Sequence, residues 1–246
     1  MPGTLADVCR HLAWLGPPRP LSALLFDPPH SLYRQSWAPR RQRYGTVNAD
    51  GYGVGWYAAG QSEPVQFRRA QPIWSDRSFA SLAPTVKSGC VLAAVRSATP
   101  PQPVEESGAA PFLLSGGGLL SHNGAVDPEA VAAVLPTSAR TATLMDSSML
   151  AAVVSGLLDV GAPLPDALAE TVLKVRSGRL NLLATNGQVV AATTWGDTLS
   201  WIGRDGGVLV SSEPDDDDPA WVDVPDRSLL TVSPSLTVDI RPLEAV

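Results

Sequence analysis

An α+β fold built on antiparallel sheets is what this sequence predicts, and three observations carry it. Short apolar runs bounded by glycine and proline fill the amino-terminal half, two helical stretches follow, and the last third returns to short strands separated by hairpin dipeptides. Strands, then helices, then strands is the order of an α+β layered domain rather than of a parallel βαβ sheet. At 246 residues the chain is long enough for one well-buried core, and a single domain is expected.

Taken in order, Cys9-Arg10-His11-Leu12-Ala13-Trp14-Leu15-Gly16 offers a thiol, a guanidinium and an imidazole and then runs apolar, as a strand entering a core does. Gly16-Pro17-Pro18-Arg19-Pro20 is expected to break it. Leu21 to Phe26 is a short helical turn ended by Asp27-Pro28-Pro29. Residues 30–47, polar and arginine-rich with His30, Trp37 and Tyr44, form a connection long enough to carry function. From Asn48 to Tyr57 a turn feeds a strand whose alternating glycines allow close approach to a neighbour. Its Gly51, Gly53 and Gly55 lack the strand-before, helix-after context of a dinucleotide loop.

The next clear strand is Gly89 to Arg96, in which Cys90 is a packed small hydrophobe. Residues 100–111 read as a loop. Pro111 to Leu114 and Leu119 to Gly124 make a hairpin that delivers His122, Asn123 and Gly124 at the end of its second strand. Asp127 and Pro128 open one helix. Asp146 is read as the N-cap of an apolar-faced helix through Leu158, and another helix runs from about Pro165 to Arg176. Strands at Leu180–Thr185, Val189–Trp195, Leu199–Ile202 and Val208–Ser212 are separated by Asn186-Gly187, Gly196-Asp197 and Asp205-Gly206-Gly207. The acidic run Asp215–Asp218 reads as a solvated turn rather than a cation site, and two last strands lie around Leu229–Val232 and Leu236–Ile240.

Composition narrows the function classes. The net charge is −6, and no lysine or arginine stripe is present, so a nucleic-acid partner is not expected. No apolar run approaches the ~20 residues of a membrane span, and no secretory signal opens the chain, so no membrane is expected and the cytoplasm is the default compartment. Cys9 and Cys90 alone make no disulfide framework. No metal and no cofactor is expected.

Five motifs occur together: Cys9-Arg10-His11, the Asn48-Ala49-Asp50-Gly51 segment running to Trp56, Arg96-Ser97-Ala98-Thr99, Ser121-His122-Asn123-Gly124, and Asp146-Ser147-Ser148. In order and spacing they resemble the class II glutamine amidotransferase domain along roughly residues 9–215. The resemblance extends to the stand-alone members that hydrolyse γ-glutamyl-hercynylcysteine S-oxide in ergothioneine biosynthesis, through Gln35-Ser36-Trp37-Ala38-Pro39, Pro72-Ile73-Trp74 and Ser212-Glu213-Pro214. It implies a four-layer αββα N-terminal-nucleophile (Ntn) hydrolase sandwich of two antiparallel sheets flanked by helices, acting on a small-molecule γ-glutamyl substrate.

The same resemblance implies the site. Cys9 is the nucleophile and its own α-amine the base, which requires Cys9 to be the first residue of the active form. Residues 1–8 are therefore expected to be absent from it. Val8 directly precedes Cys9, and a GTG start codon read as an internal codon gives valine, so initiation there followed by methionine trimming would expose the thiol. Asn123 and Gly124 supply the oxyanion donors, Arg96 the fork for the α-carboxylate and Asp146 the partner of the α-ammonium. Arg10 orients the opening strand, and His11 and His122 are expected to make structural hydrogen bonds. A trimethylammonium leaving group would favour an aromatic cage, for which Trp37, Trp56 and Trp74 are candidates. Pro100 stands where many members of the family carry histidine. The chain ends with this domain, so a hydrolase is expected rather than a synthase fed with ammonia. A general glutaminase or ammonia-supplying subunit is the alternative within the family, and an inactive binding protein the alternative outside it.

Overall fold

Alternation sets the first layer. Along β1 (Arg10–Pro20), Leu12 and Trp14 enter one apolar cluster while Ala13 and Leu15 enter another, as expected where successive side chains leave opposite faces of a sheet. The computed structural model describes residues 9–43, 45–98, 104–136 and 145–243; Tyr44, Thr99 and Pro100 lie outside them. After β1 come α1 (Leu21–Leu25), α2 (Leu32–Gln35), β2 (Tyr52–Trp56), β3 (Val65–Arg69), α3 (Arg77–Leu82) and β4 (Lys87–Val95). The hairpin β5 (Phe112–Leu114) and β6 (Gly118–Asn123) precedes α4 (Pro128–Ala132), α5 (Asp146–Asp159) and α6 (Leu164–Val175). Then follow β7 (Asn181–Thr185), β8 (Val190–Thr194), β9 (Ser200–Arg204), β10 (Gly207–Ser211), β11 (Val222–Asp223), β12 (Ser228–Val232) and β13 (Val238–Pro242).

The strands pair antiparallel in two sheets, one of seven in the order β11-β9-β10-β1-β4-β2-β3 and one of six in the order β13-β12-β8-β7-β6-β5. Three apolar clusters mark the boundaries between layers. Leu15, Leu92 and Val210 of the first sheet meet Leu119, Leu183 and Leu230 of the second. The outer face of the first sheet packs Trp14, Tyr52 and Val91 against Leu24, Leu32 and Phe79 of the short helices. The outer face of the second packs Leu120 and Leu182 against Leu150, Val154 and Leu168 of α5 and α6. Three interfaces make four layers, the αββα order that the resemblance implies.

The glycines of β2 explain how the two sheets close at one edge. A Cβ on Gly53 would collide with the carbonyl of Ala110, and one on Gly55 would stand 2.6 Å from Cδ1 of Leu119. Bare backbone on that face lets the β5–β6 hairpin come down onto β2.

Elsewhere the structure departs from the sequence reading. The prolines after Gly16 do not end β1. Its pairing with β10 stops at Leu15, and its pairing with β4 shifts register between Leu15 and Arg19 before running on to Pro20. A strand with a bulge and a partner on one side tolerates residues lacking an N–H. Strand β3 carries polar residues at the sheet edge, and α3 is one short turn capped by Asp76, whose Oδ1 accepts from the N–H of Phe79 at 2.9 Å. Neither has an apolar period long enough to read. Asp146 is the first residue of α5, with Met145 at the cap position, so the helix begins one residue earlier than an Asp146 cap would give.

Candidate active site

β1 is an interior strand of its sheet, and Cys9 immediately precedes it. Arg10 pairs with Val95, so Cys9 comes level with Arg96 at the end of β4. That end is pinned because Arg96 N–H donates to Gly51 at 2.8 Å and Arg96 C=O accepts from Asp50 at 2.9 Å. Across the sandwich, β6 ends in Asn123 and the chain turns through Gly124 towards the start of α5. The result is one cavity lined by Cys9, Arg96, His122, Gly124, Asp146 and Ser147, among others. Of the expected site residues, four come together there from four separate stretches of sequence.

Gly124 is held by close contact. Its φ is +153°, and a Cβ would collide with the carbonyl oxygen of Arg179 and stand 2.9 Å from Nε2 of His122. Gly124→Ala is expected to cost at least ~3 kcal/mol through strain and clash, lowering Tm by roughly 6–12 °C in a thermal melt. An unchanged Tm would mean that this turn is not packed as described.

Asn123 is fully buried between the sheets. Its Nδ2 approaches Ser212 Oγ at 3.5 Å, and its Oδ1 has no hydrogen-bond partner among the described residues. Ser212 Oγ also accepts from the backbone N–H of His11 at 3.0 Å, so it ties β1 to the end of β6. Asp146 opens α5, where the positive end of the helix favours a carboxylate. Its Oδ1 accepts from the Ser147 N–H at 2.7 Å and its Oδ2 from Val126 N–H at 3.4 Å. Arg96 is nearly buried, its guanidinium running beneath Gly108, where a Cβ would come within 2.8 Å of Nη1.

The histidines make hydrogen bonds. His11 is fully buried with Nδ1 3.1 Å from Ser121 Oγ. Burial above all, then the charges of Arg10 and His122, pushes its pKa from 6.5 down to about 3. The unfolded chain therefore takes up a proton near pH 6.5 that the folded protein refuses until about 3, so this stability is complete above pH 6.5 and lost as pH falls to 3. This contribution is expected to be worth roughly 3–6 kcal/mol, visible as an acid-side loss in urea unfolding that His11→Gln reduces. Identical pH profiles for the two proteins would refute it.

Arg10 is buried as well, with Nε donating to Gln42 Oε1 at 3.2 Å and Nη1 to Thr198 Oγ1 at 3.4 Å. It fastens the start of β1 to the arginine-rich connection, in keeping with an orienting role. Glu213, just after β10, holds the same connection. Fully buried, it accepts from the backbone N–H groups of Arg40 and Arg41 at 2.8 and 2.7 Å. Ser212 and Glu213 belong to a motif visible in the sequence, but nothing there announces what they bond.

Trp37, Trp56 and Trp74 are not brought together at the cavity. Trp37 and Trp74 pack edge to face at 5.7 Å, and the Arg34 guanidinium already lies 5.3 Å from the Trp37 ring. Trp56 pairs with Val91, whereas the cavity end of β4 is at Val95, roughly 13 Å along the strand at 3.3 Å per residue. The acidic run is not simply solvated. Asp215 is buried and pairs with Arg204 at 2.5 Å, Asp216 pairs with the same arginine at 2.7 Å, and Asp217 pairs with Arg40 at 2.7 Å. Among the described residues no group of three or more His, Cys, Asp or Glu is placed to hold a metal ion, and no helix is long and apolar enough to cross a membrane.

No family model matches the chain. Individual proteins do. The γ-glutamyl-hercynylcysteine sulfoxide hydrolase of Mycolicibacterium smegmatis is 49% identical over 233 residues, covering 92% of this chain and 96% of that protein. The protein of the same name from Mycobacterium tuberculosis is 48% identical over 232 residues, covering 92% and 93%. The chain belongs to the γ-glutamyl-hercynylcysteine sulfoxide hydrolase family. Solved structures place that family's fold among the class II glutamine amidotransferases. A class II glutamine aminotransferase domain protein from Silicibacter pomeroyi superposes with TM-score 0.65 at 21% identity, covering 96% of this chain and 100% of that one. The glutamine phosphoribosylpyrophosphate amidotransferase of B. subtilis superposes with TM-score 0.71 at 15% identity, covering 96% of this chain and 49% of that one. At these identities the likeness is one of fold, and it agrees with the four layers of the hydrolase-family chain.

Proposed function

We propose that the protein hydrolyses the γ-glutamyl amide of γ-glutamyl-hercynylcysteine S-oxide, releasing glutamate and hercynylcysteine S-oxide. The observation that carries this is the convergence of Cys9, Arg96, Gly124 and Asp146 on one cavity in a chain that shares nearly half its residues with hydrolases of that name. The active form begins at Cys9. An amide is a poor electrophile, and a thiol of ordinary pKa ~8.5 beside an α-amine of pKa ~7.7–8 can be deprotonated near neutral pH. The sulfur attacks the γ-carbonyl carbon, the leaving amine takes its proton from the α-ammonium, and a glutamyl thioester remains. Water, deprotonated by the same amine, then releases glutamate and restores the thiol.

Each tetrahedral intermediate places negative charge on the former carbonyl oxygen. Gly124 N–H is one donor. Asn123 is the other after a half-turn of its amide, whose two ends are nearly alike in shape. Ser212 Oγ–H then donates to Oδ1, its own lone pairs still take the His11 N–H, and Nδ2 is released for the oxyanion. Arg96 receives the α-carboxylate and Asp146 the α-ammonium, which fixes the γ-carbonyl relative to Cys9. Purified protein beginning at Cys9 is expected to release glutamate from the sulfoxide substrate and to turn over free glutamine poorly. Equal kcat/KM on glutamine would replace this reading with a general glutaminase. Intact-mass analysis finding residues 1–8 on fully active protein would remove the amine as base.

A further inference from the structure

Asp146, Ser147 and His122 line the cavity together. Nε2 of His122 lies 2.9 Å from the carbonyl oxygen of Arg179. A carbonyl only accepts, so Nε2 carries the proton, and in the neutral ring Nδ1 is then bare. Nδ1 lies 3.0 Å from Ser147 Oγ, while Asp146 Oδ1 lies 3.3 Å from the same oxygen. The serine has one hydroxyl proton and cannot serve both; the shorter contact takes it to the ring. Ser147 Oγ is thereby left an acceptor, next to a carboxylate that is also an acceptor. Two such groups facing one cavity suit a ligand that brings several N–H donors and a positive charge.

From this geometry we infer that Ser147 is a second ligand of the substrate's α-ammonium, its hydroxyl turned away from Asp146 by His122. This rests on the reading that Asp146 receives that ammonium. His122 is a positioning residue: it touches Ser147 and the Arg179 carbonyl, and the latter also lies against Gly124. One ring therefore sets both the ammonium end of the cavity and the turn at its oxyanion end.

The test is a comparison of the γ-glutamyl substrate with its glutaryl analogue, which lacks only the ammonium. The readout is the ratio of kcat/KM for the two, measured on wild type, Asp146→Asn, Ser147→Ala and His122→Gln. Wild type is expected to prefer the γ-glutamyl compound, and Asp146→Asn to lose most of that preference. Ser147→Ala should lower the ratio about ten- to a hundredfold, the value of one charge-assisted hydrogen bond, chiefly through KM. His122→Gln keeps a donor for Arg179 but offers no acceptor at the Nδ1 position, and should lower the ratio in the same direction. If Ser147→Ala loses the same factor on both compounds, or none, Ser147 is only a structural residue and the inference is overturned. If Asp146→Asn leaves the preference intact, it is the underlying assignment of the ammonium site that fails.

Discussion

Cys9→Ala should lower glutamate release by at least about 10³-fold, since removing a covalent nucleophile takes away the route and not merely a contact. Stability should change little, because Cys9 is half-buried ahead of β1 and belongs to none of the three apolar clusters. The second cysteine provides an internal control. Cys90 is buried, hydrogen-bonded to Thr185 Oγ1 at 3.1 Å, and burial pushes its pKa up to about 11. It has neither the access nor the thiolate fraction to react at neutral pH. Treatment with 6-diazo-5-oxonorleucine should therefore add a single label, found by peptide mass spectrometry on Cys9. A label on Cys90, or full activity in Cys9→Ala, would end the proposed chemistry.

Asn123→Ala should reduce kcat by about 10²–10³-fold, the ~2.7–4 kcal/mol typical of one oxyanion donor, with KM nearly unchanged. The residue also bridges β6 to Ser212, so part of any loss could arise from a disturbed fold. Asn123→Asp separates the two effects. It keeps the shape of the side chain and loses both N–H groups, so it should be at least as slow as alanine. A variant with intact kcat and raised KM would show that Asn123 binds the ground state instead.

What was legible in the sequence follows physical range. Cys9, Asn123 and Asp146 each sit at a punctuated end, before an apolar run, at the end of a hairpin strand and at the opening of a helix, but their roles are legible only through the resemblance that the five motifs carry together. The helices α5 and α6 and most strands of the last third were marked by local periods and turn dipeptides. Strand β3 and helix α3 were missed because one is polar at a sheet edge and the other is a single capped turn. The bond between His122 and Ser147 spans 25 positions and that between Asn123 and Ser212 spans 89, and no local pattern encodes either. The placing of the tryptophan rings is illegible for a related reason: adjacency to a motif in sequence says nothing about where a strand register carries a ring.

The place of β1 in its sheet has a consequence for biosynthesis. Arg10 pairs with Val95 and Leu12 with Ser211, so β1 emerges from the ribosome before either strand that it pairs with. At ordinary elongation speeds the later partner emerges roughly 10–40 s afterwards. During that interval one edge of β1 has no partner, and its backbone N–H and C=O groups there face water. β1 becomes an interior strand of its sheet only once β10 has been made.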